Sequence, residues 1–314
     1  MNKNLSVGID TSNYKTSVAV VDQNGNILFN HQQFLEVKEG ERGLRQSEAL
    51  FQHVQNLPVV LDRMLSDDSI REHISAVTVS TKPRPIEGSY MPVFTAGTGY
   101  GRTIAAALHV PFYETSHQEG HVEAVRYYSE LKDCIEPFIC FHFSGGTTEA
   151  LLVDEANFQI IGGTKDLAYG QVLDRIGVAL GMKFPCGEEM DKLALACKPI
   201  PKLFTPIKVK EGYVNLSGIE TQGQRAIPDY QKDQLIASLF ETLSVSIAEM
   251  TLQLSKQYGV KNFIYAGGVS CSQYIRKSLQ KKLPKDLQIV FGRPELSSDN
   301  AIGVALLGGK HLWP

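Results

Sequence analysis

The run Phe138-Ile139-Cys140-Phe141-His142-Phe143-Ser144-Gly145-Gly146-Thr147-Thr148 points most directly to the architecture of this chain. Its apolar first half is typical of a buried strand, and the glycines that follow mark a tight turn. Residues 149–153 and 158–162 are predicted to form two further strands. Backbone amides and hydroxyls in such a turn can hold phosphate oxygens, although an ordinary hairpin has the same composition. The segment predicts a strand meander whose first turn is a candidate phosphate loop.

The N-terminal residues follow the same order. Residues 5–9 and 16–21 read as strands that flank the turn beginning at Asp10, and residues 27–34 alternate as a third strand after an Asn-Gly turn. Residues 50–64 have the apolar spacing of a helix. The chain therefore looks duplicated. Two phosphate-type turns in equivalent places predict an α/β class protein with the actin-like ATPase fold, in which paired domains bind a nucleotide between their first hairpins.

We expect a subdomain of residues 1–116 with 299–314, and a second of residues 117–298. In the second, the predicted strand 262–266 leads through Gly267-Gly268-Val269 into a helix at 272–282. Glycines between a strand and a helix allow close approach of a ligand to the positive helix end. Asp299 precedes an apolar helix and could be its N-cap.

Composition limits the possible functions. The chain has 314 residues, 43% of them hydrophobic and 21% charged, with a net charge of −3. This charge argues against an overall role in coating a polyanion, so any contact with RNA must be local. The basic stretches at 202–210 and 276–285 are interpreted as solvated loop and helix faces. Five cysteines without C-x-x-C spacing argue against a disulfide framework and fit a reduced cytoplasm. No run has the length expected of a membrane span.

His117 and His121 lie four residues apart in a stretch with helical spacing, which places both imidazoles on one helix face. Two neutral imidazoles suit zinc, iron or another transition metal, and a complete site needs a further ligand. The same spacing also arises in helix-face histidines with polar partners. The pair is therefore a candidate metal half-site.

Several motifs in this order make the chain resemble the tRNA threonylcarbamoyladenosine synthase family, the TsaD and Kae-type proteins formerly called O-sialoglycoprotein endopeptidases, over nearly its full length. The motifs are Gly8-Ile9-Asp10-Thr11-Ser12, His117 to His121, Ser144-Gly145-Gly146 with Thr148-Glu149, Gly170 with Asp174, Pro185 with Gly187 and Asp191, Ser217-Gly218, Ala266-Gly267-Gly268-Val269 and Asp299-Asn300-Ala301. The family has the actin-like fold, which agrees with the duplication.

The resemblance implies a site for one divalent metal, iron or zinc, and an adenylate. The implied metal ligands are His117, His121 and Asp299. Archaeal members have a tyrosine where this chain has His142, which we predict to be a fourth ligand. Ser144 and Asp10 are the implied catalytic residues. The implied nucleotide-binding residues are Phe143, Ser144, Gly145, Gly146, Thr147, Asp174, Gly187, Asp191, Gly267, Gly268 and Ser272.

The chain also departs from the family pattern. Ser272 replaces the asparagine that holds adenine, Glu220 replaces a lysine, and Thr147 replaces the bacterial histidine. The first hairpin continues as Asn13-Tyr14-Lys15-Thr16, and residues 82–98 form a longer loop than the usual Gly-Pro-Gly. This pattern indicates a divergent bacterial paralogue.

The implied reaction is metal-dependent transfer of a threonylcarbamoyl group from threonylcarbamoyl-AMP to the exocyclic amine of the adenosine beside the tRNA anticodon. One alternative is a carbamoyltransferase that acts on a small molecule or protein through carbamoyl-adenylate. Another is a non-catalytic nucleotide-binding partner of a true synthase. A protease is the weakest hypothesis. Expected partners are tRNA, an adenine nucleotide (threonylcarbamoyl-AMP, ATP or AMP) and TsaB- or TsaE-like proteins or a second copy of the chain, with no membrane contact.

Overall fold

Two mixed β-sheets form the framework of the protein, one in each of two structural units. A computed structural model describes residues 4–12, 14–37, 44–154, 157–293, 296 and 301–313. The first unit comprises Met1–Tyr128 with Glu295–Pro314, and the second comprises Ser129–Pro294.

The first unit contains a five-stranded sheet in the order β3-β2-β1-β4-β5. β1 to β3 form an antiparallel meander, and β4 and β5 extend the sheet in parallel from β1. Its strands are β1 Leu5–Thr11, β2 Lys15–Val21, β3 Ile27–Phe34, β4 Ile74–Lys82 and β5 Phe112–Ser116. Its helices are α1 Gln46–Leu65, α2 Asp68–Arg71, α3 Phe94–Leu108, α4 His117–Tyr127 and, from the C-terminal segment, α10 Ile302–Gly309.

The second unit contains a six-stranded sheet in the order β11-β10-β6-β7-β8-β9. Its strands are β6 Phe138–Phe143, β7 Thr148–Asp154, β8 Asn157–Thr164, β9 Tyr213–Val214, β10 Asn262–Ala266 and β11 Gln288–Phe291. Its helices are α5 Tyr169–Ala179, α6 Gly187–Ala196, α7 Ser217–Ala226, α8 Lys232–Tyr258, the 3-10 helix Gly268–Cys271 and α9 Gln273–Lys282.

The two sheets repeat one topology. β6 to β8 form an antiparallel meander like β1 to β3, and β10 and β11 extend that sheet in parallel as β4 and β5 do in the first. β9 adds one short parallel strand beside β8. The repeated topology agrees with the duplication inferred from the two Gly-containing turns.

The units divide the chain at different residues from the predicted subdomains. Residues 117–128 lie in the first unit, whereas the sequence-based division at residue 116 assigned them to the second. The reason is that α4 packs closely on α10: a Cβ on Gly303 of α10 would lie 1.8 Å from the carbonyl oxygen of Gly120 in α4. Glu123 of α4 also accepts a hydrogen bond from Lys310 at 2.8 Å.

Helix α8 forms the centre of the second unit. It is long and apolar enough to cross a membrane, but 72% of its apolar window is buried inside the protein. Leu239, Phe240 and Leu243 on this helix are fully buried in the cluster that also contains Phe141 and Tyr265 of the sheet. Such burial is typical of the core helix of a soluble protein.

Candidate functional site

The predicted histidine pair lies at the start of α4. Ser116 caps this helix: its hydroxyl accepts a hydrogen bond from the amide of Glu119, whose carboxylate accepts one from the amide of Ser116 at 2.7 Å. This capping box fixes the first turn of the helix. Four residues apart on that turn, His117 and His121 turn their Nε2 atoms towards each other at 3.1 Å.

Asp10 orients the first of these histidines. Its buried carboxylate lies at the end of β1, where Oδ1 is 2.9 Å from Nδ1 of His117 and also accepts a short hydrogen bond from the Ser80 hydroxyl. A carboxylate can only accept, so Nδ1 of His117 carries the proton and its Nε2 lone pair faces His121. Metal-binding histidines are held in this way by an outer carboxylate.

The geometry of the pair fits a metal ion. Metal–nitrogen bonds of about 2.0–2.1 Å place two ligating nitrogens about 2.9–3.4 Å apart, for bond angles from about 90° to 109°. The 3.1 Å between the two Nε2 atoms lies within this interval. Among the residues that the structure describes, no group of three His, Cys, Asp or Glu side chains is arranged to hold a metal. Asp299, the third implied ligand, lies outside those residues.

In the second unit, the Ser144–Thr147 turn joins β6 to β7. The Ser144 hydroxyl oxygen accepts hydrogen bonds from the amides of Gly146 at 3.3 Å and Thr147 at 3.0 Å. The Ser144 amide in turn donates to the carbonyl of Thr147 at 2.9 Å. The sequence predicted that the amides of this turn would bind phosphate, but those of Ser144, Gly146 and Thr147 donate their hydrogen bonds within the turn. Because a hydroxyl has one proton and two lone pairs, the Ser144 hydroxyl can still donate one hydrogen bond to a ligand.

Two glycines pack directly against this turn. A Cβ on Gly170, at the start of α5, would lie 2.6 Å from the carbonyl oxygen of Ser144, and one on Gly267 would lie 2.4 Å from that of Phe143. Gly267 also has a φ of 88°, which favours glycine. By contrast, a Cβ on Gly145, Gly146, Gly187 or Gly268 would meet no atom within 4 Å. The structure therefore brings the Ser144 turn, the α5 N-terminus and the Gly267-Gly268 turn together at the carboxyl ends of β6 and β10.

The predicted nucleoside-binding carboxylates have different surroundings. Oδ1 of Asp174 accepts a hydrogen bond from the amide of Cys186 at 2.8 Å, just before Gly187 begins α6. Burial raises the pKa of Asp174, although this hydrogen bond opposes the change. Further hydrogen-bond donors at this carboxylate, such as ribose hydroxyls, would favour its charged form.

Asp191 instead holds the N-terminus of α9. Its Oδ2 accepts from the amide of Gln273 at 2.9 Å, and its Oδ1 accepts from the amide of Tyr274 at 3.1 Å and closely from the Ser272 hydroxyl. Ser272 is itself the N-cap of α9, since its hydroxyl oxygen accepts from the amide of Ile275 at 3.1 Å. Both predicted nucleotide-binding side chains are therefore part of one helix cap.

His142 lies on β6, buried between Glu149 of β7 and Ala266 of β10. Its role as a fourth metal ligand stays a prediction. Sequence reasoning missed Ser80 and the partnership of Asp10 with His117. The available signal was a pair of hydroxyl residues, Ser80 and Thr81, directly after a buried apolar strand.

The structure is similar to HypF from T. kodakarensis, with a TM-score of 0.63 and 14% identity over 99% of this chain and 48% of the HypF chain. The chain thus spans about half the length of HypF. It is also similar to a ROK family glucokinase from Streptomyces griseus, with a TM-score of 0.56 and 12% identity over 98% of this chain and 100% of that one. The protein has the actin-like ATPase fold.

The family is shown by the sequence. The model of the TsaD family, tRNA N6-adenosine threonylcarbamoyltransferase, matches residues 28–306. A protein of that name from Sulfurihydrogenibium sp. (strain YO3AOP1) is 31% identical over 97% of this chain and 89% of its own length. One from Ligilactobacillus salivarius (strain UCC118) is 28% identical over 97% of this chain and 90% of its own. The chain belongs to the TsaD family of transferases.

Proposed function

We propose that this protein transfers a threonylcarbamoyl group from threonylcarbamoyl-AMP to the exocyclic amine of the adenosine next to the tRNA anticodon. The observation that carries the proposal is the family match across residues 28–306, which includes both histidines, the Ser144–Thr147 turn and the Gly267-Gly268 turn. In the reaction a C–N bond forms to the amine, which loses a proton. The acyl C–O bond to phosphate breaks, and AMP leaves with its electron pair.

The Ser144 turn is the proposed phosphate-binding element. The Ser144 hydroxyl, which already accepts two hydrogen bonds within the turn, donates its proton to a phosphate oxygen, and the nearby N-terminus of α5 adds a favourable field for negative charge. Both contributions increase in value as AMP leaves with its charge. Because the anhydride is already activated, holding it beside the amine supplies much of the rate.

Asp174 of α5, whose carboxylate accepts a hydrogen bond from the Cys186 amide just before α6, is the proposed contact for the ribose. A carboxylate can accept two hydrogen bonds from vicinal hydroxyls. Gly187 and Gly268 leave open space where a side chain would stand, which suits close approach of a nucleoside. Asp191 and Ser272 act on the nucleotide only indirectly in this proposal, through the position of α9.

His117 and His121 are the proposed ligands of one iron or zinc ion, completed by Asp299 and His142. When bound, such an ion supplies Lewis-acid stabilisation of negative charge on phosphate or carbonyl oxygens. Asp10 keeps His117 in the tautomer whose Nε2 is available. We also propose a cytoplasmic location, which the five cysteines without C-x-x-C spacing favour. Association with TsaB- or TsaE-like proteins is proposed because the resemblance implies it.

The test is incubation of the purified protein with threonylcarbamoyl-AMP and unmodified tRNA, followed by nuclease digestion and mass spectrometry of the nucleosides. We expect threonylcarbamoyladenosine from the native protein and at least about a hundredfold less from His117→Ala/His121→Ala, with loss of bound metal. The matched control is His109→Asn, at an exposed position with a φ of 54° that asparagine accepts.

The outcomes separate the reaction from the metal. Native protein that consumes the adenylate without modifying tRNA would contradict the proposed acceptor and favour a carbamoyltransferase with another substrate. Native protein that neither binds nor consumes the adenylate would contradict the transferase itself. Equal metal content in the native protein and the histidine variant would contradict the proposed ligands.

A further inference from the structure

Three lysines surround a cavity at the β9 edge of the second sheet. The cavity has a volume of about 180 Å³ and is lined by Lys165, Lys208, Lys210, Tyr213 and Asn215. None of the ion pairs formed by the described residues includes any of these lysines. We call these five residues the lysine cavity, and we propose that it binds phosphates of the tRNA backbone. The inference rests on the proposed function.

The lysines are held on a rigid support. Lys210 and Tyr213 exchange two backbone hydrogen bonds of 2.9 Å across a turn in which Glu211 and Gly212 have φ values of 54° and 75°. Positive φ at both central positions defines the tight hairpin turn that matches strand twist. A Cβ on Gly212 would lie 2.5 Å from the Leu254 side chain of α8, so the turn packs directly on the core helix.

The arrangement of side chains presents the charges together. Lys208 and Lys210 are exposed on either side of the buried Val209, and both line the cavity, so the two charges lie on the same side of this segment. Lys165 follows β8, and its ammonium group lies 5.2 Å from the centre of the Tyr213 ring. Its backbone amide is tied to the carbonyl of Val214 at 3.0 Å.

Charge determines the ligand class. The whole chain carries a net charge of −3, so a group of three cations around one cavity is a local feature. The three ammonium groups repel one another unless an anion lies between them. Lysine is a point charge with three donors and suits phosphate oxygens without reading the bases. A polynucleotide offers phosphates in series, which lysines two residues apart can contact together. The cavity therefore fits sequence-independent positioning of tRNA.

The experiment measures tRNA affinity as a function of salt for the native protein and for Lys165→Gln/Lys208→Gln/Lys210→Gln. Each phosphate contact contributes about 0.9 to the slope of log affinity against log salt concentration. We expect the slope of the triple variant to be smaller by about 2–3 and its affinity in dilute salt to fall by about tenfold or more. The triple Lys→Arg variant keeps the charge and should keep the slope.

The control is Lys261→Gln/Lys285→Gln, two exposed lysines that precede β10 and β11 at the opposite side of the same sheet. Its slope should equal that of the native protein. An unchanged slope in the triple variant, or an equal decrease in the control, would overturn the proposal. So would a loss of AMP affinity with tRNA binding intact, since the cavity would then hold a mononucleotide phosphate.

Failure of the proposed function has a different signature. Native protein that binds tRNA through the lysine cavity but forms no threonylcarbamoyladenosine contradicts the transferase reaction and leaves the cavity assignment standing. Native protein that forms the nucleoside while the triple variant keeps its full salt slope and its KM for tRNA contradicts the cavity assignment alone.

Discussion

Asp10 determines which nitrogen of His117 is available for binding. Its Oδ1 accepts a hydrogen bond from Nδ1–H of His117, with 2.9 Å between oxygen and nitrogen, which leaves Nε2 directed at His121. In Asp10→Asn the amide can donate to Nδ1 and so favour the opposite tautomer. We expect the affinity for zinc or iron to fall about 10–100-fold, as measured by competition with a chromophoric chelator. Ser80→Ala, which removes a neighbouring hydroxyl and keeps the carboxylate, should have a smaller effect. Equal affinity in Asp10→Asn and the native protein would contradict the orienting role.

His53 makes the stability of the first unit depend on pH. It is fully buried, with Nε2 2.7 Å from the carbonyl of Ser12 and Nδ1 2.8 Å from the Thr16 hydroxyl. Burial lowers its pKa from the ordinary value of 6.5, although the Ser12 carbonyl and Asp10 oppose this. Below pH 6.5 this histidine therefore binds a proton in the unfolded chain more readily than in the folded one. The contribution of His53 to stability is fully present above pH 6.5 and decreases as the pH falls towards its folded-state pKa.

The measurement is urea unfolding from pH 7.5 to 5. We expect His53 to lower the free energy of unfolding by up to about 1.4 kcal/mol for each pH unit below 6.5. His53→Gln should remove this contribution, whereas His109→Asn should keep it. If His53→Gln and the native protein show parallel pH profiles, another group is responsible.

At the scale of elements, the two glycines after β10 have different roles. A Cβ at position 267 would lie 2.4 Å from the Phe143 carbonyl oxygen, whereas at position 268 it would meet nothing within 4 Å. We expect Gly267→Ala to lower the free energy of unfolding by about 2 kcal/mol and to displace the Ser144 turn. Gly268→Ala should change stability by less than about 0.5 kcal/mol. Urea unfolding of both variants checks this, and equal losses would contradict it.

Asp191 joins α6 to α9 by accepting hydrogen bonds from the first amides of α9. Asp191→Ala should lower the free energy of unfolding by about 2 kcal/mol, because two amides and the Ser272 hydroxyl lose their acceptor. The matched control is Glu188→Ala on the exposed side of α6, which breaks only the surface pair with Lys192. Thermal unfolding distinguishes the two. Similar midpoints would show that Asp191 does not hold α9.

At the scale of the whole molecule, local patterns predicted the elements well. The strands Phe138–Phe143 and Asn262–Ala266 have the predicted bounds because their apolar runs end in glycine turns. Ile27–Phe34 also has the predicted bounds, and it begins directly after the Asn-Gly turn. The placement of His117 and His121 on one helix could also be predicted, because it depends only on their four-residue spacing. The actin-like fold followed from two similar meanders and is confirmed by the repeated sheet topology.

Contacts between distant residues could not be predicted in this way. Asp191 and Ser272 are 81 positions apart, and their hydrogen bond depends on how α6 and α9 pack. Lys165 joins Lys208 and Lys210 only because β9 pairs with β8, and β9 is too short to be visible in the sequence. The predicted boundary at residue 116 differs from the observed one after Tyr128 because α4 packs on a helix that is distant in sequence, α10 of the C-terminal segment.

The C-terminal segment returns to the first unit, where its helix α10 packs on α4 and so positions His117 and His121. Gly303 of α10 and Gly120 of α4 allow the two helix backbones to touch, and a Cβ on Gly303 would lie 1.8 Å from the Gly120 carbonyl oxygen. Gly303→Ala must push α4 away, so we expect a loss of about 3 kcal/mol in the first unit and weaker metal binding by His117 and His121. Hydrogen exchange of the α4 amides and metal titration measure both. Gly99→Ala in α3, with nothing within 4 Å, should gain up to about 1 kcal/mol. If Gly303→Ala binds metal as tightly as Gly99→Ala does, the packing of α10 on α4 does not position the histidines.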